Sequence, residues 1–362
     1  MSDFIVFDMG VLDHDIVQSF ENMKTTISKH KPKDVLFIAG WELTHPFFNN
    51  YLDIKDNQWY EFIIIHEFGD FLEAENTQFH LIVSSFDDPI FDRFKNDPVK
   101  NFNIHFWKSW CLFGLVDFLR NSNINIFEKN IDADFEKLFV CFINKGKYHR
   151  QVLIDLLCKN DLFKNSIVTW HKQPMPFIDT KNYEYECWTE VEMSFDDYYP
   201  NHPMPFIGSS LDTKCLINLV TETHREGIFY SEKTWKPIVT GQPFISLGAK
   251  NQNNVIKELG FQLYDELFDY EFDSLDTVEQ RAKGLVDNLL KLDNKDLLEL
   301  YDSVKEKLEF NKNRAKQILN EGLYIPNIIL DLYSKHSERN DDRKSMYGNV
   351  VDFLYDYKKD KI

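Results

Sequence analysis

Short apolar runs alternate with longer amphipathic stretches along the first third of the chain. "DFIVFDMG" opens with an apolar run and predicts a strand. "DIVQSFENMKTTISKHK" carries its apolar residues at helical spacing and predicts a helix. "DVLFIAGW" (34–41), "EFIIIHEFGD" (61–70) and "FHLIVSSFDD" (79–88) read as buried strands, with helical or mixed segments between them. Strands that alternate with helices predict a parallel sheet flanked by helices, with ligands beyond the carboxyl ends of its strands.

A polar, Asn-rich break at 121–136 interrupts the pattern, which then restarts. "KLFVCFIN" (137–144) predicts a strand, "KGK" a turn, "YHRQVLIDLLCKN" a helix and "NSIVTWHK" (165–172) a strand. The irregular stretch 173–213 holds Pro-Met-Pro-Phe-Ile twice, at 174–178 and 203–207, and these copies read as Pro-rigidified loops. "KCLINLVTET" (214–223) predicts a strand, "SEKTWKPIVTG" a helix with Ser231 as its N-cap, and "QPFISLG" a strand. The chain is charged and helical from 276 to about 320, and "IPNIILDLYSKH" begins a last helical region. In the closing stretch, Val350, Val351, Phe353, Leu354 and Tyr357 form an apolar stripe at helical spacing. The pattern predicts an α/β protein with a first lobe over 1–133, a second over 134–310 and a helical tail over 311–362.

Composition narrows the classes. At 362 residues the chain is long enough for two domains. Its net charge of −18 opposes long-range attraction to phosphodiester backbones, and no Lys/Arg run reads as a nucleic-acid arm. Cys111, Cys141, Cys158, Cys187 and Cys215 show no zinc or redox spacing and predict free thiols in a reducing, cytoplasmic setting. The N-terminus lacks the basic region of a signal peptide, and no apolar run approaches a membrane span of about 20 residues.

One stretch raises a chemical question. In "FYSEKTWKPIVTGQPFISLGAKN" (229–251), Glu232-Lys233 sits at a helix start. The helix dipole favours Glu there but not Lys. An anionic ligand would account for the lysine, because free helix-end N–H groups and Lys233 would converge on it. Otherwise the two residues form a solvated first-turn pair. Neither a Walker pattern nor G-x-G-x-x-G is present.

The segment "NLVTETHREGIFYSEKTWKPIVTGQPFISLG" resembles the donor-binding part of GT-B-type glycosyltransferases. It is most similar to the α1,3-fucosyltransferase and exostosin-like donor domain, and to glycosyltransferase-like proteins of viruses and phages. The likeness spans about 137–283 and implies two Rossmann-like lobes with the active site in the cleft between them. The first lobe would take the acceptor, a glycan or a modified base in phage DNA, and the tail would pack across both lobes. No cofactor is implied beyond the nucleotide sugar as co-substrate. Carried over residue by residue, Glu222 and Glu232 would meet donor hydroxyls and Lys233 the diphosphate. Tyr230 and Ser231 would line the same pocket, with Arg150 on phosphate and Asn144 at the neighbouring strand end. This chain has Thr221-Glu222-Thr223 where the fucosyltransferase pattern has Phe-Glu-Asn, which departs from a GDP-fucose site. Glu42, Glu67 and Asp87, at expected strand ends of the first lobe, are the candidate catalytic bases. Asp132-Ala-Asp134 precedes a strand rather than following one and is not expected to bind metal. A non-catalytic glycan-binding or structural viral protein is the alternative.

Overall fold

A computed structural model describes residues 4–7, 16–39, 57–84, 86, 90–121, 134–143, 147–169, 214–223 and 227–335. The chain divides into two compact units, one formed by 1–121 with 322–362 and the other by 122–321.

The first unit runs β1 (Phe4–Phe7), α1 (Ile16–His30), β2 (Asp34–Ala39), α2 (Asn57–Ala74), β3 (Gln78–Val83), α3 (Ile90–Asn96), β4 (Phe102–Phe106) and α4 (Trp110–Asn121). All four strands are parallel, in the order β1-β2-β3-β4. Alternation along the strands sends Val35, Phe37, Phe79, Leu81 and Val83 into one core, where they meet Phe20, Met23 and Ile27 of α1 and Ile65, Phe68 and Leu72 of α2. Phe68 lies 4.7 Å from Phe20 and edge-on to Phe79 at 5.3 Å.

The stretch 61–70, expected as a strand, is helical and lies inside α2. Its three-to-four spacing decides the matter: Ile65, Phe68 and Leu72 are buried, whereas Glu67, Asp70 and Glu73 are exposed. β4 carries no expectation from the sequence; it pairs with β3 from Phe102 to Phe106.

The second unit runs β5 (Lys137–Phe142), α5 (Tyr148–Lys159), β6 (Ser166–Thr169), β7 (Cys215–Thr221), α6 (Glu232–Thr240), β8 (Phe244–Leu247), a short α7 (Gln252–Val255), α8 (Val278–Leu292) and α9 (Leu297–Glu321). Its sheet is also parallel, but in the order β6-β5-β7-β8. Every residue of β7 is buried, as expected for an inner strand of a parallel sheet covered on both faces. α8 packs on α5, and α9 on α6. The expected boundary at 310 falls inside the continuous helix α9.

The Gly-Gln-Pro turn after α6 follows from local geometry. Gly241 takes a left-handed conformation, φ 74°, and the Gln242 N–H bonds back to the Pro237 carbonyl at 2.8 Å, closing a Schellman cap. The buried Gln242 amide then donates to the Cys215 carbonyl at 2.8 Å, which ties the turn to β7. At the sheet edge, the Asn253 side chain bonds both the N–H and the carbonyl of Ser246, each at 2.8 Å, in place of a further strand. Asp273 fixes Asn253 in turn, at 2.8 Å to its amide and 2.9 Å to its backbone N–H.

α10 (Asn327–Lys335) belongs to the first unit, where the Ser109 hydroxyl donates to the Leu323 carbonyl at 3.2 Å. The stripe expected at 350–357 lies outside the described residues, as do the repeated Pro-Met-Pro-Phe-Ile segments. Among the described residues, no helix is long and apolar enough to cross a membrane. Cys111, Cys141, Cys158 and Cys215 are free thiols.

Candidate anion-binding site

The order β6-β5-β7-β8 reverses direction at the centre of the second sheet. The chain leaves β5 for β6 on one side, then returns to place β7 on the other. Such a reversal opens a crevice beyond the carboxyl ends of the two central strands. The pairing shows it: β5 and β7 are in register only as far as Val140 opposite Asn218. Past that point β5 pairs with β6 to Phe142, and β7 pairs with β8 to Thr221.

Two helix starts meet at this crevice. The start of α5 binds carbonyls at and just past the end of β7. Lys147 Nζ donates to the Thr223 carbonyl at 3.1 Å and His149 Nε2 to the Glu222 carbonyl at 2.8 Å. Arg150 Nη2 donates to the Thr221 carbonyl at 3.0 Å and, at 3.4 Å, to that of Glu222. Arg150 is buried, so a guanidinium held in place by backbone carbonyls lies at the crevice floor.

The second start is α6. Ser231 caps it as expected, its hydroxyl accepting from the Lys233 N–H at 3.2 Å. Glu222 reaches across from β7. Its Oε1 accepts from the Ser231 N–H at 3.1 Å and from the Thr234 hydroxyl at 2.6 Å. Its Oε2 is buried and has no hydrogen-bond partner among the described residues. Burial raises the Glu222 carboxyl above its ordinary range, opposed by the nearby Lys233 charge and the two hydrogen bonds.

Lys233 Nζ pairs with Glu232 Oε1 at 2.8 Å, with only 17% and 12% of the two side chains exposed. This pair is therefore not the solvated first-turn decoration of the simpler reading. Burial pulls the Lys233 ammonium down and Arg150 adds to that, but the Glu232 and Glu222 carboxylates outweigh both and leave it raised. The lysine is held charged in a nearly dry setting.

No family model, curated protein or solved structure matches the chain.

The structure thus gathers Arg150, Glu222, Ser231, Glu232 and Lys233 around β7 and the start of α6. Tyr230 lies beside them but is buried. Its hydroxyl bonds the Gln252 carbonyl at 3.0 Å and its ring stands edge-on to Trp235 at 6.0 Å. Glu67 is an exposed residue of α2, not a strand-end group, so it loses the position that recommended it as a base. Glu42, Asp87 and Asn144 lie outside the described residues. Asp134 is exposed and precedes β5, while Asp132 is outside the described residues. Contributors not foreseen include Lys147, His149, Thr234 and Lys236. Lys236 stands one turn beyond Lys233 on α6, a spacing that was present in the sequence.

Proposed function

We propose that the protein is a glycosyltransferase of GT-B type. Its second unit would hold a nucleotide-sugar donor by the diphosphate, and its first unit would serve the acceptor. The observation that carries this reading is the strand-order reversal between β5 and β7, with a buried cationic helix start on its rim. Departure of a nucleoside diphosphate builds negative charge on the leaving oxygens. Lys233 and the N–H groups opening α6 would meet that charge with preorganised donors, the role a divalent cation plays in other enzymes. The likeness of 137–283 to glycosyltransferase donor domains supports the same assignment. A glycan acceptor fits a chain of net charge −18 better than a DNA duplex does.

The test is nucleotide release from a panel of nucleotide sugars, with and without excess EDTA. The account expects release from at least one donor, undiminished by EDTA. Loss of turnover in EDTA that Mn²⁺ restores would overturn the metal-independent mechanism. Tight donor binding with no turnover for any glycan offered would favour the non-catalytic alternative, in which Arg150 serves only to brace β7.

A further inference from the structure

Beneath α6, where β5 and β7 part, lies a small cavity lined by Phe142, Asn218, Thr221, Lys233 and Lys236, among others. Its volume is about 10 Å³, room for one water-sized group. Lys233 and Lys236 lie on successive turns of α6 and both border it. Lys236 is buried, and its ammonium stands 5.1 Å from the centre of the Phe142 ring. The third polar contributor is Thr221, which is 1% exposed, and its hydroxyl has no hydrogen-bond partner among the described residues. An unpaired buried hydroxyl is costly, and a strand position next to Val220 would accept valine without that cost.

We infer that this cavity is a socket for a single non-bridging phosphoryl oxygen, held by Lys233, Lys236 and the Thr221 hydroxyl. The space matches one oxygen-sized group. The remaining phosphoryl oxygens would stay outside, at the N–H groups that open α6. Lys236 is then a second cation of the site and Thr221 its neutral donor. The inference rests on the diphosphate reading above and names the residues that would hold one oxygen of that diphosphate.

Calorimetric titration of inorganic pyrophosphate, and separately of UDP and GDP, into the full chain tests it, with Lys236→Met and Thr221→Val as variants. Each variant should weaken pyrophosphate binding about tenfold, the scale of one charge-assisted hydrogen bond. Thr221→Val should at the same time melt no lower than the wild type, because it removes an unpaired buried hydroxyl. A structural threonine would give the opposite result: lower melting and unchanged affinity. Wild-type affinity for pyrophosphate in Thr221→Val overturns the socket even if Lys236→Met fails to fold. If the wild type binds pyrophosphate through these residues yet binds neither nucleotide nor any nucleotide sugar, the socket stands and the glycosyltransferase reading falls. If it binds nucleotide sugars equally in all variants, that reading stands and the socket falls. Absence of pyrophosphate binding to the wild type overturns the socket outright.

Discussion

Glu222 allows a sharp test because its two carboxylate oxygens have different surroundings. Oε1 takes two buried donors, the Ser231 N–H and the Thr234 hydroxyl, and Oε2 takes none among the described residues. Glu222→Ala strands both donors, at about 1–3 kcal/mol each. Removing a carboxylate oxygen that lacks a partner returns a similar amount for one group, so the net loss is about 2 kcal/mol. For a unit of this size that corresponds to a fall of about 4–8 °C in Tm. Glu222→Gln keeps an acceptor for both donors and discards the charge, so at neutral pH it should melt within about 2 °C of the wild type. The pH dependence has a definite sign. Burial raises the folded carboxyl above its ordinary 4.5, so the folded chain binds that proton more tightly than the unfolded one. Above the raised value the wild type carries the full cost of the buried charge. The cost is relieved as pH falls toward 4.5 and is absent below it. Acidification from neutral pH should therefore improve the wild type relative to Glu222→Gln. Scanning calorimetry of the three proteins across this range reads the effect. A Gln variant that unfolds as early as the Ala variant at neutral pH would refute the reasoning, since the carboxylate would then act through its charge on Lys233 rather than as an acceptor.

The first unit should show the opposite pH response. His105, packed against His80 at 3.2 Å, is lowered by burial and by the His80 charge from 6.5 to about 4. The unfolded chain therefore takes up that proton first, and stability is lost as pH falls from 6.5 toward 4. His105→Gln should flatten that part of the melting profile, and an unchanged slope would contradict the assignment. Gly284 lies within α8, where an added Cβ would overlap the Cβ of Phe272. Gly284→Ala should destabilise by about 1–3 kcal/mol in denaturant unfolding, although helix propensity alone favours Ala by about 1 kcal/mol.

The second sheet was legible because its signals agree with one another. β5, β7 and β8 are short apolar runs, and α6 is bounded by a Ser N-cap and a Gly C-cap. The strand order was not legible, because nothing in a run of apolar residues says which neighbour it pairs with. Yet that order makes the crevice. In the first unit, Phe62 to Ile65 are consecutive apolar residues, several of them β-branched, and a window of ten residues hides the helical period that Phe68 and Leu72 complete. β4 carried a readable signal, the alternation Phe102, Ile104, Phe106, but it is short and ends in a partly exposed phenylalanine. The Glu232-Lys233 pair was visible as an anomaly against the helix dipole. Its burial was not visible, nor was the way Glu222 reaches the same helix start from β7. Both depend on long-range packing.

The central claim is that the start of α6 binds the diphosphate of a nucleotide sugar. Isothermal titration of a nucleotide-sugar panel into the wild type and Lys233→Ala measures it most directly. The account predicts that at least one nucleotide sugar binds, and that Lys233→Ala weakens it about tenfold or more at temperatures where the variant is folded; the variant also melts lower, because it leaves the largely buried Glu232 carboxylate without its partner. Equal affinity in the two proteins, or no binding by the wild type across the panel, would contradict it.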